Sequence, residues 1–139
     1  MAREAVLRDN KIDHSRRYTC ATSTAIRKGT FLKLADPYTA SASTGTGDIF
    51  IGFAHADVNS STDTSFNTET SVTADSGAIY DLTASGAITV GQFVKTAAPG
   101  NYIMACTDAD VTASYARIVG VALETASDGE VINVAVRAL

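Results

Sequence analysis

The 139-residue sequence contains no tryptophan and only two cysteines, two histidines and two prolines. Two cysteines, Cys20 and Cys106, cannot build a disulfide framework. In a reducing compartment the default state is two thiols. His14 and His55 have no Cys, His or acidic neighbour at ligand spacing, so the chain offers no donor set for zinc or iron. Charged residues make up 19%, below the usual quarter, with Ala, Ser and Thr filling the gap. That composition excludes a long coiled coil and a highly charged disordered chain. No apolar run approaches the ~18 residues that a spanning helix needs, so no membrane partner is expected. The leading residues MAREAVLRDNKIDHSRR lack the apolar centre of a secretory signal. Synthesis and action in the cytoplasm, or in a particle assembled there, is the corresponding expectation.

Catalytic patterns are also missing. There is no Gly-x-x-x-x-Gly-Lys-Ser/Thr loop to cradle phosphates, and Thr44-Gly45-Thr46-Gly47-Asp48 lacks the lysine and the following helix, so it reads as a turn. No Gly-x-Ser-x-Gly elbow presents a nucleophile. Asp108 and Asp110 lack the alternating oxygen ligands and glycine of a calcium loop and read as solvated acids. The expectation is a protein without cofactor, metal or catalytic residues, and not an enzyme.

What the chain does contain is short apolar runs separated by Gly, Asp, Asn, Ser and Thr. These runs are Thr30–Leu34, Asp48–Ala54, Ala78–Leu82, Gln92–Lys95, Tyr102–Ala105, Tyr115–Leu123 and Val131–Val136. Each has strand length and is rich in β-branched or aromatic residues. Ala98-Pro99-Gly100-Asn101 predicts a hairpin with a type II turn, and Ser127-Asp128-Gly129-Glu130 predicts a second. A single short helix is predicted over Asp108–Ala113, capped by Thr107 or Asp108. The Ser/Thr-rich segments Thr39–Gly47 and Asp57–Ser71 read as exposed loops.

An internal repeat is visible. Lys28-Gly29-Thr30-Phe31-Leu32-Lys33 matches Val90-Gly91-Gln92-Phe93-Val94-Lys95, and Ile51-Gly52-Phe53-Ala54 matches Val119-Gly120-Val121-Ala122. The copies span about residues 28–57 and 90–125. A strand glycine marks a bulge or a close backbone approach. Two such units are expected to pair around one core. The predicted fold is all-β: a small β-barrel or β-sandwich built from two similar halves, with an extended N-terminal arm. Residues 1–27 form the arm and residues 28–139 a single body.

Charge divides along the same line. Residues 1–33 hold eight basic and three acidic residues, a net of +5, whereas residues 34–139 hold three basic and twelve acidic ones, a net of −9. A basic leader on an acidic body suits an arm that reaches onto an acidic partner. The same charges also serve a merely solvated tail. The candidate contact residues are Arg3, Arg8, Lys11, Arg16 and Arg17. The basic segment has one aromatic, Tyr18, so no stacking platform for nucleic acid is present and direct nucleic-acid binding is not expected.

Two stretches resemble a known family. Ser76 to Lys95 (SGAIYDLTASGAITVGQFVK) looks like the middle of the small head decoration, or capsid cement, proteins of tailed bacteriophages. Ile118 to Val136 (IVGVALETASDGEVINVAV) is similar to their C-terminal hairpin. The likeness covers roughly residues 28–139 and leaves the Ser/Thr-rich loop at 57–75 without a counterpart. The resemblance implies a virion protein made in the host cytoplasm and seated on the outer surface of an icosahedral shell. It implies a homotrimer that bridges neighbouring major capsid protein subunits and stabilises the capsid, with no catalytic residues. The arm could add a strand to a subunit edge there, its arginines forking onto carboxylates. The alternative is a carbohydrate- or surface-binding β module of a virion fibre, with exposed Tyr38 or Tyr80 as its platform; the absence of tryptophan counts against it.

Overall fold

The computed structural model describes residues 4–7, 14–20, 26–58 and 71–139. Its strands are β1 (Val6–Leu7), β2 (His14–Cys20), β3 (Phe31–Asp36), β4 (Thr39–Ala42), β5 (Phe50–Ala54), β6 (Ser71–Ser76), β7 (Ile79–Ala84), β8 (Phe93–Ala97), β9 (Tyr102–Ala105), β10 (Ile118–Ala122) and β11 (Val131–Val136). One helix, α1 (Asp108–Ala113), and a 3-10 turn at Tyr115–Arg117 complete it. The all-β prediction therefore holds, and each apolar run named above lies on a strand.

The strands form two rings of the same design. The first closes in the order β2-β4-β3-β5-β6. In the second, β7-β11-β10-β8-β9 is joined end to end by the β7–β9 pairing, with β1 added alongside β7. The correspondence is strand for strand. The first and third strands of each ring pair in parallel, Thr19 with Thr39 and Thr83 with Tyr102. The bridge Ile26–Val58 recurs as Ile88–Ala126. The repeat thus extends well beyond the matching blocks, over 14–76 and 79–136.

The glycines of the repeat do what the pattern implies. β5 pairs with β3 through a register shift beside Gly52, and β10 pairs with β8 through one beside Gly120. A Cβ on Gly120 would stand 2.1 Å from the Ala135 carbonyl oxygen, and one on Gly52 2.7 Å from that of Asp75. Only glycine lets the bulged strand lie this close to its neighbour.

Each ring has its own filling, which differs from the expected single shared core. Cys20, Ile26, Leu32, Ile51 and Val72 fill the first; Leu82, Ile88, Val94, Ile103, Val119, Ile132 and Val134 fill the second. A five-stranded ring turns its alternate side chains inward and covers them itself. What the halves share is a wedge. Phe31, Phe50 and Phe53, from the outer face of the first ring, join the second cluster. Their rings meet edge to face, Phe31–Phe53 at 4.9 Å and Phe50–Phe53 at 5.1 Å, and Phe53 lies 4.4 Å from Tyr80. Burying three phenylalanines contributes on the order of 2–3 kcal/mol each.

Several other expectations change. Residues 14–20, placed in the arm, are a strand of the first ring, paired along β6 from His14–Ser76 to Thr19–Ser71. Thr39–Gly47, expected as an exposed loop, supplies β4 and the buried Ala40 and Ser43, because its small side chains fit between neighbouring strands. The β8–β9 hairpin is present, but its turn is not type II: Gly100 and Asn101 in succession have positive φ, 135° and 61°. Asp128-Gly129 does turn the chain between β10 and β11, with Glu130 N–H donating to the Ser127 carbonyl. Helix α1 is as predicted: Thr107 caps it, and Asp110 returns a bond to the Thr107 N–H. No disulfide joins Cys20 and Cys106. The loop residues 59–70 lie outside the described residues.

A paired substitution tests the glycine argument. Gly120→Ala should lower stability by about 2 kcal/mol or more, because its Cβ meets backbone that cannot yield. Gly91→Ala, at positive φ but with open space around it, should lose only about 1 kcal/mol. Chemical denaturation of the two variants checks the order, and equal losses would contradict it.

Candidate docking surface

Of the five candidate contact residues, Arg3, Arg8 and Lys11 lie outside the described residues; Arg16 and Arg17 lie on β2. Alternation along the strand separates these two. Cys20 and Tyr18 turn toward the first ring's filling, so Arg16 shares their side at the end of the ring, while Arg17 takes the opposite side with Ser15 and Thr19. Arg16 Nε donates to the Leu139 carbonyl at 2.8 Å, which ties β2 to the end of the chain. Arg16, Arg17, Tyr18 and Tyr38 border an open groove of about 550 Å³. Tyr38, in the β3–β4 turn at φ 53°, is 79% exposed, and its carbonyl accepts from Thr19 N–H at 2.7 Å. The groove thus combines two guanidiniums with two phenol rings, a surface able to take carboxylates and apolar side chains together.

A second concave feature lies where the rings meet. A cavity of about 110 Å³ is bordered by Ala5, Lys28, Phe53, His55, Asp75 and Tyr80, among others. Asp75 is buried and accepts from the Ser15 hydroxyl at 2.6 Å, while its second oxygen lies 2.7 Å from His55 Nδ1. This is not a nucleophile-base pair, since Ser15 bonds to the carboxylate and not to the imidazole. Tyr80 is 3% exposed, and its hydroxyl finds no partner among the described residues. Burial, and then the negative charge of Asp75, push this phenol well above its ordinary range. Such burial removes Tyr80 as a carbohydrate platform and leaves Tyr38 as the exposed ring.

The seam between the rings is otherwise polar and well bonded. Arg137 donates to the carbonyls of Ile118, Ala116 and Phe50, linking β11 to the first ring, and its guanidinium lies 4.9 Å over the Tyr115 ring. Thr96 Oγ1 accepts from Asp48 N–H and donates to the Gly45 carbonyl. Beside this loop, Lys95 Nζ lies 2.9 Å from Asp110 Oδ2. The bond from Thr107 N–H, and after it that from Lys95, hold the Asp110 carboxyl at about 2.

The sequence offered Arg16, Arg17 and Tyr38 as separate candidates but carried no signal that they share one groove. Tyr38 is marked only by the preceding Pro37, a turn signal, and the groove exists because closing the ring brings β2 beside the β3–β4 turn.

Fold and surface together define a tandem-barrel scaffold with a cationic, aromatic groove at one end. The model of the phage cement protein family matches residues 11–138, and the chain belongs to that family. It is therefore a structural protein of a phage virion. No match is found among curated proteins. Among solved structures, the chain is similar to the N base of the head fiber protein gp8.5 of bacteriophage phi29, at a TM-score of 0.53 and 16% identity, covering 89% of this chain and 93% of that one. At that identity the likeness speaks for the fold alone.

Two outcomes follow from these contacts. Tyr80→Phe removes a buried hydroxyl without a partner, so its unfolding midpoint should equal or exceed that of the parent, by up to about 1 kcal/mol in stability; a clear loss would show that the hydroxyl is bonded. For Asp110, the depressed carboxyl contributes stability above its unfolded value of 3.8, and that contribution disappears as pH falls through about 2. A carboxyl NMR titration should place its midpoint near 2, and a midpoint at 3.8 would contradict the Thr107 and Lys95 bonds.

Proposed function

We propose that this protein decorates the outer surface of an icosahedral phage head as a homotrimer and stabilises it by bridging neighbouring major capsid protein subunits. The family match over nearly the whole chain carries this reading. The charge split supports it, because a leader of net +5 sits on a body of net −9. Arg3, Arg8, Lys11 and Arg17 serve as the cationic contacts to capsid carboxylates. Arg16 has a different role, since its Nε is held by the Leu139 carbonyl and its guanidinium borders the groove. Val6–Leu7 already pair with β7, so the part of the leader that adds to an exposed capsid strand edge, giving affinity through main-chain bonds, is the part outside β1. Because residues 14–20 are part of a ring, the gripping arm is shorter than 1–27. Several copies of a modest contact on one oligomer give retention that no single contact would. The reading involves no bond-making step.

The test uses shells that lack the protein. Purified protein should bind them and raise their disruption temperature. The triple variant Arg3→Glu, Arg8→Glu and Lys11→Glu should bind at least about 10-fold more weakly, with parental affinity regained by no change of salt. Unchanged binding would remove the arm from the mechanism, and failure of the parent to bind any shell would remove the capsid reading.

A further inference from the structure

The two rings carry the same rows of side chains in different surroundings. Across β3, β5, β6 and β2 the registers set Phe31, Phe53, Asp75 and Ser15 side by side. Across β8, β10, β11 and β7 they set Phe93, Val121, Ala135 and Ile79 in the equivalent places. The first row lies against the second ring: Phe53 meets the Tyr80 ring, and Phe31 N–H donates to the Asn101 side-chain oxygen at 3.1 Å.

The second row has no ring over it among the described residues. Phe93 is 40% exposed where Phe31 is fully buried, and Leu123, in the place of His55, is 43% exposed. A Cβ on Gly29 would meet Glu4 and Ala5 within 3 Å, whereas one on Gly91 would meet nothing within 4 Å. The row is also wholly apolar, where the covered one ends in aspartate and serine. Val121, Ala135 and Ile79 beside the exposed Phe93 are half-buried, and an apolar patch left at the surface in this way marks an interface.

The receiving surface has its own counterpart. Phe53 and Phe31 touch Tyr80 and Asn101 of the second ring. The same positions of the first ring hold Arg16, which pairs with Ala74 as Tyr80 pairs with Val134, and Tyr38, whose φ of 53° matches the 61° of Asn101. These two residues border the open groove of about 550 Å³. One molecule therefore presents an uncovered apolar row on the second ring and an unoccupied seat for such a row on the first.

We propose that the Phe93–Val121–Ala135–Ile79 row of one chain seats in the Arg16–Tyr38 groove of a second copy of this chain. The contact repeats between chains the packing already made between rings within the chain. It is heterologous, so it links successive copies head to tail, and in the closed trimer proposed above first and second barrels alternate around the ring. The Arg16 guanidinium and the Tyr38 ring would lie against Phe93, using cation–π attraction and apolar area together. This inference deepens the self-association in the reading above and is independent of whether the oligomer docks on a shell.

Sedimentation and light scattering on the full chain test it. The parent should be oligomeric. Phe93→Glu, on the row, and Tyr38→Asp, in the seat, should each weaken association by about 100-fold and give the 14.5 kDa monomer, with circular dichroism confirming the fold. Aspartate tolerates the positive φ at position 38. Mixing the two variants should restore one intact contact and yield a 1:1 dimer. A parent that stays monomeric up to roughly 100 μM, within the range of modest interfaces, would overturn the proposal. So would a folded Phe93→Glu variant that associates as the parent does. A Tyr38→Asp variant that still self-associates would overturn the head-to-tail seat in favour of row against row. Since none of these readouts uses a shell, they separate this inference from the capsid reading.

Discussion

The two halves of this molecule are held in one relation by a wedge of three phenylalanines. Phe31, Phe50 and Phe53 project from the outside of the first ring into the side-chain cluster of the second. Without them each five-stranded ring would still satisfy its own backbone, but among the described residues the second cluster would lose the first-ring side chains buried in it. The Arg137 bonds to Phe50, Ala116 and Ile118, and the Thr96 bonds to the Gly45–Asp48 loop, trim a contact that the phenylalanines make. The wedge also explains why two similar sequences behave differently. Phe31 and Phe93 occupy equivalent places, yet one is enclosed and the other faces outward, because among the described residues the second ring lies over the first and no further ring lies over the second.

Seven of the strands were legible because their inward positions are large and branched. Ile132, Val134 and Val136 alternate with Asn133 and Ala135, and the alternation alone identifies β11. The strands β2, β4 and β6 were not legible. Their inward residues are small or mixed, such as Cys20, Ala40 and Ala74, and their outward residues are Ser, Arg and Thr, which read as loop. They are strands because ring closure gives their backbones partners on both sides, a condition set by the other strands. The repeat showed the same limit. It surfaces at Gly29/Gly91 and Gly52/Gly120, where backbone geometry admits one residue type, and vanishes on β2 and β7, which share only Thr19 and Thr83. Helix α1 was legible from its cap, with Thr107 or Asp108 as the candidate, whereas Asp110, read as a solvated acid, returns the reciprocal bond to Thr107.

The surface was less legible than the fold. The sequence marks a basic leader but cannot say that Arg16 and Arg17 fall on opposite sides of a strand, or that Tyr38 stands beside them. Nor does it distinguish Tyr38 from Tyr80, one exposed and the other enclosed at the ring seam. The absence of catalytic patterns pointed to a structural part, and the family match gives that reading its content. Membership fits a molecule whose distinctive features are surfaces: a cationic groove, an outward apolar row and a basic leading segment.

The most direct measurement is an electron cryomicroscopy reconstruction of virions that carry the protein. The account predicts two-barrel density on the outside of the head, over junctions between major capsid protein subunits, with the leading segment of the chain running into the shell contact. Density confined to the tail or to the inner face of the shell, or heads from which the protein is absent, would contradict it.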